Sequence, residues 1–188
     1  MKIKSLIAGL LLSAVAANAS VTMSGAALLN NDIAGYSTGV FVSSNSGAFD
    51  ENIVDSLVAG ISLTAGTAIG DYTYTILGIG AVNNAGAQGY VAMAGITYNL
   101  GGNVATGNEI GVLVFGNSTA STVAGDTYQI YTNDWVVAAD GSNLSLTGTG
   151  APFQGAAVRS GVIMPEPSSY ALLGGLLALS CVMLRRRA

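Results

Sequence analysis

The sequence predicts an all-β protein, built as a single antiparallel β-sandwich or barrel-like domain, and three observations carry that expectation. Short segments of strand character recur along the chain, at Val21 to Leu28, Gly39 to Ser43, Tyr72 to Ile79, Tyr90 to Tyr98, Glu109 to Phe115, Thr127 to Thr132, Trp135 to Ala139 and Asn143 to Thr147. Turn formers separate them, at Gly70-Asp71, Asn83-Asn84, Asn99 to Asn103, Gly125-Asp126, Asn133-Asp134 and Asp140 to Asn143. No heptad pattern and no repeat of fixed period is present, which argues against coiled coils and solenoids. Many short strands with such turns between them favour a sandwich or barrel.

Composition narrows the function classes. The 188 residues suit one ordinary domain. Charged residues make up 9% of the chain, well below the roughly 25% of ordinary globular proteins. Lys2 and Lys4 open the sequence and Arg185, Arg186 and Arg187 close it, so Arg159 is the one base between residues 20 and 164. Against it stand Asp32, Asp50, Glu51, Asp55, Asp71, Glu109, Asp126, Asp134 and Asp140. A body this acidic, with no lysine, is not expected to bind nucleic acid, because phosphate recognition needs clustered Lys and Arg.

Taken in order, the first element is a leader. Two lysines precede an apolar segment from Leu6 to Ala16, and Ala17-Asn18-Ala19 puts small residues at the two positions that a signal peptidase reads. The expectation is a signal peptide over 1–19, cut between Ala19 and Ser20. The alternative, a buried N-terminal helix, does not explain that order of charge, apolar run and small residues.

Within the body, Ile53, Val54, Leu57 and Val58 fall at near-helical spacing in residues 51–60, compatible with one short helix or with a strand entered through a loop. Gly78-Ile79-Gly80-Ala81 lacks the remaining glycine and the helix of a dinucleotide fingerprint, so it reads as a strand end or bulge. Tyr128, Tyr131 and Trp135 bring three aromatics together, and such rings stack on sugars in carbohydrate-binding modules. The competing reading is that they pack in the core.

Asp50, Glu51 and Asp55, and the turn acids Asp126, Asp134 and Asp140, supply raw material for calcium, although none fits the 12-residue loop pattern. Solvated turn acids are the simpler reading, and no cofactor or other metal is expected. The chain has no histidine, which removes His-dependent triads and the usual zinc sites. A carboxylate pair serving a small glycoside hydrolase is a further alternative, but an enzyme is not expected. The lone cysteine, Cys181, cannot form an internal disulfide.

The tail carries the strongest signal. Pro165-Glu166-Pro167 is followed by an uncharged run from Tyr170 to Leu184 and then by Arg185, Arg186 and Arg187. As a helix, that run would rise about 22 Å, and Ser168 and Ser169 extend it toward the roughly 30 Å of a hydrocarbon core. The prolines block a helix upstream, and Ser168 is placed to cap one that begins after it. A transmembrane helix over about 168–184 is expected, with the arginines on the cytoplasmic side and the body outside the inner membrane.

Pro165-Glu166-Pro167, the apolar segment and the arginine cluster at 185–187 together resemble a PEP-CTERM sorting signal, a tail recognised by exosortases of Gram-negative bacteria. The resemblance covers residues 165–188. It implies that Pro165, Glu166 and Pro167 are recognition residues for a membrane-embedded processing enzyme, and that the apolar helix is discarded on maturation. Members of the family are often associated with exopolysaccharide and biofilm. The expected layout is therefore a signal peptide over 1–19, an all-β surface or secreted domain over 20–164 and a sorting tail over 165–188. The expected partners are signal peptidase, exosortase, the inner membrane and exopolysaccharide, and the expected role is structural or adhesive. The protein would be anchored transiently in the inner membrane and then reside at the envelope surface or in the extracellular matrix.

Overall fold

The computed structural model describes residues 19–29, 33–49, 53, 56–70, 73–85, 88–146, 149–152, 160–163, 171, 172, 174–180 and 183. Its body is all-β. Ten strands are named: β1 (Ser20–Leu29), β2 (Thr38–Ser44), β3 (Ala68–Ile69), β4 (Tyr74–Ala85), β5 (Gln88–Asn99), β6 (Glu109–Phe115), β7 (Thr127–Val136), β8 (Asn143–Ser145), β9 (Thr149–Pro152) and β10 (Ser160–Val162). They form one curled sheet in the order β10-β7-β6-β2-β4-β5-β1-β8, with β3 added beside β4. The short β9 pairs with both β1 and β7, so it bridges two strands that lie far apart along that path.

Neighbours are antiparallel as expected, except that β8 and β9 run parallel to β1. The exception follows from connectivity, because the chain leaves β7 and crosses to the other side of the curled sheet before pairing again. A second departure concerns Asn133-Asp134, expected to be a turn between two strands. Instead β7 continues through it as a bulge, with Glu109 opposite Val136 and Gly111 opposite Thr132. Asp134 absorbs the extra length at φ 49, a left-handed conformation that Asp tolerates better than most residues.

Two apolar clusters occupy the two faces of the sheet. On the concave side, Val21, Met23, Ala27 and Leu29 of β1 meet Phe41, Leu77, Val91, Met93, Ile110, Val112 and Val114. On the other face, Val40, Val42, Tyr74, Ile76, Leu113, Phe115 and Ile130 are covered by Phe49, Ile53, Leu57, Leu63 and Ile69 from the long excursion between β2 and β4. All seven residues of β2 are consequently buried. Within residues 51–60 the described positions form no α-helix; 53 is 3₁₀-helical, and 56–60 lie in turns, a bridge and irregular backbone. Ile53 and Leu57 are buried against the outer face.

Gly78 and Gly80 lie inside β4, beside a register shift between Phe41 and Val42, so the Gly-Ile-Gly-Ala stretch is a bulged strand. Side chains at both glycines would collide with the layer that fills the curl. A Cβ at Gly78 would fall 2.4 Å from Ile96 Cγ2, and one at Gly80 would fall 2.6 Å from the Ala92 carbonyl oxygen and 2.9 Å from Phe41 Cε2. The glycines make room for the larger residues opposite them.

In the tail, residues 171, 172, 174–180 and 183 are helical. Leu172, Leu176, Leu177, Leu179 and Met183 are 57–71% exposed. Among the described residues no helix is long and apolar enough to cross a membrane. The leader expected over 1–19 lies outside the described residues except for Ala19.

Gly80→Ala should destabilise the body by about 1–3 kcal/mol, because the Ala92 backbone cannot yield as a flexible side chain would. Urea unfolding followed by tryptophan fluorescence measures this, with Gly174→Ala, where a Cβ meets open space, as the unaffected control.

Candidate functional site

The expected site residues are scattered by the fold. Ala17, Pro165, Glu166, Pro167, Arg185, Arg186 and Arg187 lie outside the described residues, as do Asp50, Glu51 and Asp55. Ala19 and Ser20 stand at the start of β1, where Leu100 N–H donates to the Ala19 carbonyl at 2.7 Å and Gly141 N–H donates to that of Ser20 at 3.0 Å. The Ser20 N–H donates to Asp140 Oδ1 at 2.8 Å.

The three aromatics considered for sugar stacking do not form a surface platform. Tyr128, Tyr131 and Trp135 are 2%, 0% and 6% exposed. Tyr128 belongs to the outer cluster, whereas Tyr131 and Trp135 belong to the inner one. Odd and even positions of β7 face opposite sides, and the bulge at Asp134 keeps Trp135 on the Tyr131 side. The Tyr131 hydroxyl donates to Gln129 Oε1. A sugar could reach these rings only if they left the core.

The most developed polar constellation is centred on Asp126, between β6 and β7. Asp126 is 2% exposed. Its Oδ1 accepts from Asn117 N–H at 2.8 Å, and its Oδ2 accepts from Ser118 N–H at 2.7 Å and from the Ser118 hydroxyl. Burial alone would push the carboxyl pKa up. The Ser118 hydroxyl and the backbone N–H groups of Asn117, Ser118 and Thr127 outweigh that effect and hold it below the ordinary aspartate value. Gly116 is required beside it, since a Cβ there would fall 2.8 Å from Asp126 Oδ1.

This network reaches into the cover of the outer core. Ser118 Oγ also accepts from Val123 N–H at 3.1 Å. Next to it, Thr122 Oγ1 donates to the Val58 carbonyl at 2.6 Å and accepts from Ile61 N–H at 2.9 Å, while Leu63 N–H donates to the Ala120 carbonyl at 2.9 Å. Asp126 also ties down the end of the body through its backbone, since Ile163 N–H donates to the Asp126 carbonyl and Gly125 N–H to the Ile163 carbonyl, both at 2.9 Å. Glu109 fastens the other end of the excursion, accepting from Phe49 N–H at 2.8 Å. The arrangement surrounds both oxygens of the Asp126 carboxylate with hydrogen-bond donors.

Among the described residues no group of three His, Cys, Asp or Glu side chains gathers in a geometry for metal. A cleft of about 190 Å³ opens elsewhere, lined by Thr75, Leu77, Thr97, Tyr98, Asn99 and Val104 among others, and none of the expected site residues borders it. The Tyr98 hydroxyl is buried without a hydrogen bond of good geometry; it faces the backbone of Ala138, and burial pushes its pKa up to about 12.

No protein-family model, curated protein or solved structure matches the chain.

Sequence reasoning weighed Asp126 as raw material for calcium against a solvated turn acid and did not pair it with Ser118. The pairing joins residues eight positions apart across a loop, and no periodicity announces it. A buried role was signalled only by the dense Gly-Asn-Ser and Gly-Asp-Thr turn chemistry at the two ends of that loop.

Asp126→Asn should lower stability by about 1.5–3 kcal/mol, because an amide NH₂ would face N–H donors where an oxygen now accepts. The folded pKa is depressed, so the wild-type contribution is fully present above the unfolded value of about 3.9 and is lost as pH falls through the folded value. Urea midpoints between about pH 2 and 6 should therefore converge for the two proteins at the acid end. Trp135→Ala should cost about 3–5 kcal/mol, as expected of a core residue rather than an exposed stacking ring; because Trp135 is the one tryptophan of the chain, its urea unfolding is followed by far-UV circular dichroism.

Proposed function

We propose that the chain is an exported envelope or extracellular-matrix protein, sorted by an exosortase, whose β body has a structural or adhesive role in association with exopolysaccharide. The observation that carries this reading is the tail, where an ordered Pro-Glu-Pro, apolar segment and arginine cluster follow the body. Its helical leucines stay 57–71% exposed, although each would gain on the order of 1.5–3 kcal/mol by burial. A helix whose described residues, apolar for the most part, are all exposed suits a lipid environment. In this reading residues 168–184 span the inner membrane, with Arg185, Arg186 and Arg187 in the cytoplasm.

The limits of the folded body also support it. The first strand begins at Ser20, where signal peptidase would cut, and Ile163 is buried in the outer cluster two residues before Pro165. Removal of both proposed sorting segments would therefore leave every named strand in the mature protein. The face of the sheet built from β1, β4 and β5 contains no charged residue, which suits contact with a neutral hydrated matrix rather than with a polyanion.

The deciding experiment is the intact mass of the protein recovered from the envelope and medium of its native host, with terminal peptides sequenced. The expected species begins at Ser20 and ends near Pro165. A species that retains Arg187 would instead be a stable membrane anchor and would rule out release. Replacing Arg185, Arg186 and Arg187 with neutral residues should impair retention and processing, seen as precursor accumulation on immunoblots; unchanged processing would refute the assigned orientation.

A further inference from the structure

We infer that the fold carries a preformed acceptor for its own mature N-terminus, in which the Ser20 ammonium created by leader removal is held by the Asp140 carboxylate. The inference rests on the export reading above. Hydrolysis of the Ala19–Ser20 amide consumes one water, leaving a carboxylate on Ala19 and, at neutral pH, a protonated amino group on Ser20.

That nitrogen is already placed for an ion pair. Ser20 N lies 2.8 Å from Asp140 Oδ1, within the range of a charge-assisted hydrogen bond. The surrounding backbone fixes both partners. Gly141 N–H donates to the Ser20 carbonyl at 3.0 Å, Thr22 N–H to the Ser142 carbonyl at 3.2 Å, and Ser142 N–H to the Ala139 carbonyl at 3.2 Å, which closes the turn that presents Asp140. Cleavage sacrifices one backbone bond, from Leu100 N–H to the Ala19 carbonyl at 2.7 Å. In its place a neutral amide donor becomes a charged one facing the same carboxylate.

The charge environment reinforces the assignment. Between residues 20 and 164 the chain has nine acids and a single base, Arg159, so the new ammonium is a rare cation in an acidic body. Ser20 is flanked by Asn99 of β5 and by the 139–142 turn. The titratable groups of these elements and of the adjoining β8 are Asp140 and the tyrosines Tyr90 and Tyr98, and the buried Tyr98 hydroxyl remains neutral. Asp140 is the anion that faces the terminus.

Lysine occurs only at positions 2 and 4, so the processed chain would have one amine, the Ser20 α-amino group. The full chain is exported in a Gram-negative host, collected after processing and treated with acetic anhydride across a pH series. Acetylation is read from the mass of the N-terminal peptide, for wild type and for Asp140→Asn. An unperturbed α-amino group titrates at roughly 7.7–8.0, and an exposed ion pair should raise it by roughly 0.3–0.7 of a pH unit in the wild type alone. Because the folded pKa is raised, the attraction is complete below the unperturbed value and fades as pH rises through the folded one.

The same titration in about 1 M salt should shrink the wild-type shift, which keeps the test decisive if Asp140→Asn folds poorly. Identical titration of the two proteins, or a wild-type curve at the unperturbed value that salt does not move, overturns the ion pair while leaving leader cleavage intact. An N-terminal residue other than Ser20 overturns both, and sequencing of that peptide tells the two failures apart.

Discussion

Strand β2 offers no face to water, and much of the molecule is arranged around that fact. A sheet curled about one core normally leaves its convex side wet and polar. Here Val40, Val42, Leu113, Phe115 and Ile130 line the convex side as well, so a second layer is obligatory. The excursion between β2 and β4 supplies it, but an irregular layer must find hydrogen-bond partners outside itself. Those partners come from the loop between β6 and β7, and that loop keeps its shape because Asp126 gathers the N–H groups of Asn117 and Ser118. A buried carboxylate thus supports an apolar interface several residues away.

The same carboxylate-bearing residue lies at the junction between body and tail. Ile163 is zipped to Gly125 and Asp126, while Ser20 is bonded to Asp140 and Gly141 at the other end of the body. Both proposed processing points therefore lie close against ordered structure. Little free chain separates the folded body from Pro165, so an enzyme acting on that motif would work near the base of the sheet.

Much of the strand pattern was legible because β1, β2, β5 and β6 have compact strand-forming sequences bounded by turn residues. Legibility failed where a local signal was overruled from a distance. Asn133-Asp134 has turn chemistry, yet β6 pairs across it and makes it a bulge. Strands β3, β9 and β10 are two to four residues long and owe their existence to partners elsewhere in the sheet. The aromatics of β7 could not be assigned to surface or core by alternation, since both faces of that strand are covered. Asp126 looked like any exposed turn acid because its donors are non-local. The tail was the clearest segment in the sequence, since its order of residue types is a local property.

The parallel placement of β8 and β9 beside β1 bears on how the body would carry load. If the tail were fixed in a membrane and the opposite end held by surrounding matrix, tension would draw β1 lengthwise past Asn143–Ser145 and Thr149–Gly150. In that shear geometry the interstrand bonds bear the strain together, whereas an antiparallel pair pulled from its open end parts one rung at a time. The seam that joins β1 to β8 and β9 is oriented as a mechanical clamp.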